Sequence, residues 1–347
     1  TPKPKKRRVK EAIFFTILTV LSIIIYFLYD DMAYCKYICP LGTVTKAFSK
    51  VSFTKLETYN EGCATCKTFD CASACSYNLK PFTFAKKNSM EDCTLCMDCA
   101  VSCENVAFNI TKPSSTLFNK FKTQKVEVWT ILILTAILSF AMTFKHSLNR
   151  TAIADEFIWN KISKFLEFYI TTDFISIDGL SVFLFSIVLI VVLNIIAMFI
   201  ASKILKVSFE TTFYTLGYAF APLFIIGGLS HIGEFFFYFY ASNIVNGFNQ
   251  GFSLGMDTMP PLASRKDEWV HIFKLFTHIG YIWAFILMAF RLKLLDTKKH
   301  LKIIAFPFAS ALIIFYMSLN FYTSYVFKTY GVNKTGHNHT NQKTKEE

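Results

Sequence analysis

The sequence predicts a polytopic α-helical membrane protein interrupted by one small, polar, cysteine-rich insert of α+β type. Three observations carry that prediction. Of 347 residues, 53% are hydrophobic and only 17% charged, against about 45–50% apolar and 25% charged in soluble domains. The apolar residues fall in long runs near 12–29, 128–144, 181–202, 213–240, 270–290 and 303–327, each close to bilayer-crossing length. All ten cysteines lie between Cys35 and Cys103, and none in the later runs. A disordered chain, a collagen-like chain and a single soluble globule are thereby excluded.

Four segments follow in order. Residues 1–31 comprise a basic stretch, KPKKRRVK, and the first apolar run, Ala12 to Tyr29. No small-residue cleavage site follows that run, so it is expected to be a retained helix rather than a signal peptide. The chain starts at Thr1, and an upstream part is expected. Residues 32–127 form the polar insert, 128–327 a five-helix membrane domain, and 328–347 a polar tail expected to be disordered. Within 145–180 charged and aromatic residues alternate, which predicts an interfacial helix rather than a span.

The formal net charge is +12. Lys and Arg concentrate in loops beside the apolar runs, so membrane lipid, and no nucleic acid, is the expected partner of that charge. With the insert inside, the inner loops hold 19 Lys/Arg and the outer ones 10, or 16 with the N-terminal stretch counted. The bias places the insert in the cytoplasm, and the reducing cytosol is also where iron–sulfur centres are built. The expected location is the bacterial inner membrane, multi-pass.

The cysteine spacing specifies the insert's chemistry. Cys93, Cys96, Cys99 and Cys103 follow C-x2-C-x2-C-x3-C, the spacing of a bacterial ferredoxin run. Cys63, Cys66, Cys71 and Cys75 form a second run whose middle gap is two residues longer. In such runs the fourth cysteine serves the neighbouring cluster. One 4Fe-4S cluster is then expected on Cys63, Cys66, Cys71 and Cys103, and a second on Cys93, Cys96, Cys99 and Cys75. A pair of zinc sites is the competing assignment, but zinc favours separated C-x2-C pairs. The Pro that usually follows the fourth cysteine is replaced by Ser76 and Glu104. The full fold class is therefore a polytopic α-helical membrane protein with an inserted α+β two-cluster ferredoxin domain of bacterial type.

Cys35 and Cys39 stand apart, in Tyr34-Cys35-Lys36-Tyr37-Ile38-Cys39-Pro40-Leu41-Gly42. A C-x3-C-P pair just past an apolar run reads either as a redox dithiol or metal ligand, or as two structural thiols.

This segment, followed by two ferredoxin-type runs, resembles the membrane polyferredoxins of the NapH/NosR/MauN type. The similarity covers about residues 5–112 and extends to CENVAF at the end of the last run. It implies cytoplasm-facing 4Fe-4S clusters, a C-x3-C-P motif by the membrane, and electron exchange with the quinone pool and with partner redox subunits. Members of that family carry a second C-x3-C-P motif upstream, which this sequence lacks. The chain also continues for over 200 residues of membrane segments, where the nitrate-system member ends.

The membrane half holds His231, Glu234, His271 and His278. Ionisable residues within spans are functional candidates. His231 and His278 fall at similar distances from the outer ends of neighbouring spans, which suits b-type haem ligation, a quinone or quinol pocket, or a pair of interhelical hydrogen bonds. No general acid/base pair, nucleophile triad or phosphate loop is visible in the insert. The expected function is electron transfer between the quinone pool or a cytosolic donor and a respiratory redox enzyme. The chain is then an electron carrier or quinol dehydrogenase subunit rather than a stand-alone enzyme. The alternative is an accessory factor supplying reducing equivalents for metalloenzyme maturation.

Overall fold

The computed structural model describes residues 3–29, 32–58, 60–87, 90, 92–169, 176–264 and 267–331. The side chain of Cys35, those of the basic stretch 3–10, and the tail from 332 onward lie outside the described set. The chain divides into two compact units, Thr1–Thr130 and Ile131–Glu347.

The first unit opens with α1 (Lys3–Leu28). The apolar run that begins at Ala12 lies within this helix and continues to its C-terminal end. The first expected span is thus helical. One wide turn then runs over Tyr34–Ile38, closed by Cys39 N–H donating to Tyr34 O at 2.8 Å. Pro40 starts α2 (Pro40–Ser49), where its missing N–H costs nothing.

A two-stranded antiparallel sheet follows, β1 (Thr54–Thr58) against β2 (Val106–Ile110), with Leu56 opposite Phe108 and Thr58 opposite Val106. Between the strands lie four one-turn helices: α3 (Asn60–Ala64), α4 (Asp70–Ser73), α5 (Phe84–Lys87) and α6 (Asp98–Ser102). After β2 comes α7 (Ser115–Phe118). Leu56, Phe84 and Val106 form a small core together with Cys71 and Cys99. Each buried apolar side chain contributes about 1.5–3 kcal/mol. Lys50 and Glu127 are both buried and paired, Nζ to Oε1 at 3.5 Å, with the ammonium over the Phe121 ring.

Four helices are long and apolar enough to cross a membrane: α8 (Lys125–Arg150), α10 (Ile177–Leu205), α11 (Phe209–Phe252) and α12 (Glu268–Lys293). The pair α13 (Lys299–Ala309) and α14 (Ala311–Tyr330), bent by 40° at Ser310, has the length and hydropathy of a fifth span or of a re-entrant loop. These helices make the chain a membrane protein, with four helices of span length among the described residues, or five if the bent pair is one span; the first of the six expected spans begins at residues whose side chains lie outside the described set. Pro307 explains the bend, since it lacks the N–H that would continue the hydrogen-bond ladder. The short α9 (Ile158–Tyr169) buries Trp159 and Ser163 and exposes Ile158, Phe165 and Phe168.

Small residues bring the spans of the second unit together. A side chain at Gly280 in α12 would meet Pro222 O at 3.2 Å and Gly227 N at 3.3 Å, so α11 and α12 cross backbone to backbone. Outward residues of α10, among them Val188, Val192 and Ile196, are exposed and apolar, as a lipid-facing surface must be. Beyond α11 the returning chain is clasped to the helix by two asparagines. Asn249 bonds both the N–H and the carbonyl of Met256, and Asn246 does the same for Met259.

Candidate metal centre

The two cysteine runs build the same local device twice. In each, a non-glycine residue in the left-handed region precedes a one-turn helix that begins Asp-Cys-Ala. Phe69 (φ 54°) precedes α4 with Cys71, and Met97 (φ 72°) precedes α6 with Cys99. Both helical cysteines are buried, and α4 packs against α6. Left-handed backbone costs a non-glycine residue about 1–2 kcal/mol. Leu95 (φ 57°), Asn78 (φ 49°) and Asp92 (φ 64°) adopt it as well.

The return on that strain is visible at the sulfurs. The N–H of Leu95 donates to Cys93 Sγ at 3.5 Å, and that of Leu79 to Cys75 Sγ at 3.4 Å. Cys66 receives the N–H groups of Phe69 and Thr68, and Cys71 that of Phe82. Turns that aim successive N–H groups inward make anion cradles, and thiolate sulfur is such an anion.

The thiols fall into two groups. Cys103 acts electrostatically on Cys63 and Cys71, which also feel Cys66 or one another. Cys75 acts on Cys93 and Cys99, which also feel Cys96. The electrostatic couplings thus cross between the two runs, Cys103 with the first and Cys75 with the second. Cys75, Cys93, Cys96 and Cys99 line a single cavity with Leu56, Phe84 and Met97. Asn105, two residues after Cys103, packs against the bare backbone of Gly62 beside Cys63, where no Cβ would fit.

Electrostatics differ between the groups. Burial, reinforced by Cys93, Cys75 and Cys96, pushes the Cys99 thiol up to about 11. Burial also raises Cys93, Cys71 and Cys63. Cys66 alone moves down, held there by the N–H groups of Phe69 and Thr68.

Among the described residues, no three Cys, His, Asp or Glu side chains lie close enough to share one metal ion. A tetrahedral zinc ion with bonds of about 2.3 Å needs its sulfurs about 3.8 Å apart.

The C-x3-C-P segment lies beside the second group. Lys36 Nζ donates to Tyr77 O at 2.5 Å, and Lys46 pairs with Asp92 at 2.5 Å, one residue before Cys93. Cys39 is half-buried with a free thiol.

In the second unit, His271 Nδ1 stands 3.8 Å from Glu234 Oε1, and His278 packs edge-on to Tyr281. His231 meets a residue that the sequence reading passed over, His146 of α8, with ring centroids 6.4 Å apart. The available signal was a count along the chain. His146 lies 21 residues from the start of α8 and His231 lies 22 from that of α11, two spans that run in the same direction.

Comparisons with known proteins agree on the general chemistry. A family model described as a 4Fe-4S binding domain matches residues 12–57, the stretch that contains Cys35 and Cys39. An uncharacterized protein of Methanocaldococcus jannaschii is 34% identical over 99 residues, covering 27% of this chain and 39% of its own length. The Escherichia coli protein YccM, whose provisional name assigns it to electron transport, is 28% identical over 130 residues, or 37% of this chain and 34% of its own. A second Methanocaldococcus jannaschii protein is 26% identical over 95 residues. The chain thus spans little more than a third of these relatives. No solved structure matches it. Together the matched domain and the apolar spans make this a membrane protein with a 4Fe-4S binding domain and a relative named for electron transport.

Proposed function

We propose that the chain is a membrane-bound electron carrier holding two 4Fe-4S clusters. Cys63, Cys66, Cys71 and Cys103 would ligate one, and Cys93, Cys96, Cys99 and Cys75 the other. The observation that carries this reading is the exchange of fourth cysteines between the two runs, read from which thiols act on which. Bound clusters supply one-electron transfer. The protein's part is to present thiolates, aim N–H groups at them and exclude water from the cavity around the second set. Electrons would pass between the quinone pool or a cytosolic donor and a partner redox enzyme. The insert would face the cytoplasm of a bacterial inner membrane.

A second reading, an accessory factor for metalloenzyme maturation, is favoured by the contacts of Lys36 and Lys46. They place the C-x3-C-P segment against the loops of the second set, where a dithiol would be within reach of that cluster.

The test is anaerobic purification of the full chain in detergent, with iron and sulfide analysis and EPR of the dithionite-reduced protein. About eight iron atoms per chain and two interacting signals are expected. Cys103→Ala should abolish the signal of the first set and Cys75→Ala that of the second. If each instead removes the signal of its own run, the crossed assignment is wrong, and a colourless, zinc-loaded protein ends the electron-transfer reading. Cys35→Ser/Cys39→Ser that leaves electron flow intact but abolishes partner metallation would favour the maturation role.

A further inference from the structure

We propose that the second unit binds one b-type haem, with His146 and His231 as its two axial ligands. The two imidazoles come from different spans, α8 and α11, and their ring centroids stand 6.4 Å apart with planes inclined by 42°. A metal bound about 2.0–2.1 Å from each ring nitrogen, itself about 1.1 Å from its centroid, sets two trans imidazoles about 6.3 Å apart and two tetrahedral ones about 5.1 Å apart. The observed distance is the trans value.

The rest of the ligand shell points the same way. Among the described residues no third Cys, His, Asp or Glu joins the pair to complete a site for one ion. Two trans imidazoles alone suit a metal that brings its own four equatorial donors, which is what a porphyrin does. A hydrogen bond between the two rings does not explain the pairing, since none links them, and both rings are exposed in the protein alone.

The surroundings suit the periphery of such a ligand. Phe235 lies 4.2 Å from the His231 ring, centroid to centroid, and Phe239 continues the aromatic wall 5.6 Å from Phe235. Arg150, at the outer end of α8, is a charge neighbour of both imidazoles. Lys145 on the same turn is already paired with Asp178. Among the described residues, Arg150 is thus a cation close enough to both imidazoles to meet a haem propionate. Wide i→i+5 turns mark both helices at this level, over Thr143–Ser147 in α8 and Phe236–Tyr240 in α11. Such turns recur where a helix is bent to a ligand.

The test is the full chain expressed with a haem precursor and purified in detergent, with haem measured as its pyridine adduct. About one haem per chain with a low-spin bis-imidazole spectrum is expected. His146→Ala and His231→Ala should each lower haem content at least tenfold while the iron–sulfur EPR signals persist, which shows that the variants fold. His231→Met should retain haem but convert the spectrum to that of a His/Met pair, and His278→Ala should change nothing. A wild-type protein free of haem, haem retained in both alanine variants, or equal loss in His278→Ala would each overturn the assignment. Because the iron–sulfur signals are read separately, failure here leaves the cluster assignment standing, and the reverse holds too.

Discussion

The two cysteine sets share one backbone device and differ in what surrounds it. Around the first set, Cys66 receives two backbone N–H groups and its thiol is pulled down. Around the second, Cys93 and Cys99 are desolvated, Cys99 as far as about 11, and the four sulfurs line a cavity walled by Leu56, Phe84 and Met97. Cys96 is the exposed member of that set. Backbone N–H groups reach sulfurs in both sets, so the two environments differ chiefly in burial, the second being the poorer in water. Donors and solvent favour the more negative, reduced state of a cluster, and an apolar wall disfavours it.

The largest expected consequence is a split in reduction potential. The first set should sit higher by on the order of 100 mV, more than a tenfold bias in electron occupancy, since about 59 mV is tenfold for one electron. Redox titration followed by EPR, with Cys103→Ala to remove the first signal, measures the split. Coincident or reversed potentials would break the comparison.

The next effect is on loading. Iron binds thiolate, so each ligand must lose its proton first. A thiol at about 11 is mostly protonated throughout the range from pH 7 to 9, and its thiolate fraction falls about tenfold for each unit of acidification. Reconstitution of the apo chain should therefore slow as pH falls, with the second set slowing more than the first, where Cys66 is already biased toward thiolate. The growth of visible absorption during anaerobic reconstitution follows this. Equal pH dependence in Cys75→Ala and Cys103→Ala would remove the electrostatic distinction.

The smallest effect tests the crossing itself. Gly62→Ala displaces the side-chain amide of Asn105, two residues from Cys103, at about 1–2 kcal/mol. The first-set signal should weaken while the second holds, and Asn105→Ala in the same chain should restore it. A uniform loss of both signals would mean that Gly62 serves the fold rather than one ligand.

Much of the insert was legible because cysteine spacing is a direct record of ligand geometry. Cys93, Cys96, Cys99 and Cys103 could be read as one run before any fold was known. The left-handed turns at Phe69, Leu95 and Met97 were not legible, because none is glycine and only tertiary context holds them there. In the membrane half, hydropathy located the spans but not their partners. His146 sits between Lys145 and Thr151 in a basic helix end, a composition that reads as an interfacial terminus, and its relation to His231 depends on the packing of α8 and α11. The break at Ser310 had a visible cause in Pro307.

One helix has a consequence for the space outside the lipid. At 1.5 Å per residue, the 44 residues of α11 extend about 66 Å, roughly twice a hydrocarbon core of about 30 Å. On this scale His231 lies about 33 Å along the helix, and about 30 Å of helix follow it. The Asn246 and Asn249 clasps tie the returning chain to that last part. A helix of this length exceeds one upright crossing, so it either tilts strongly within the apolar layer or continues past it.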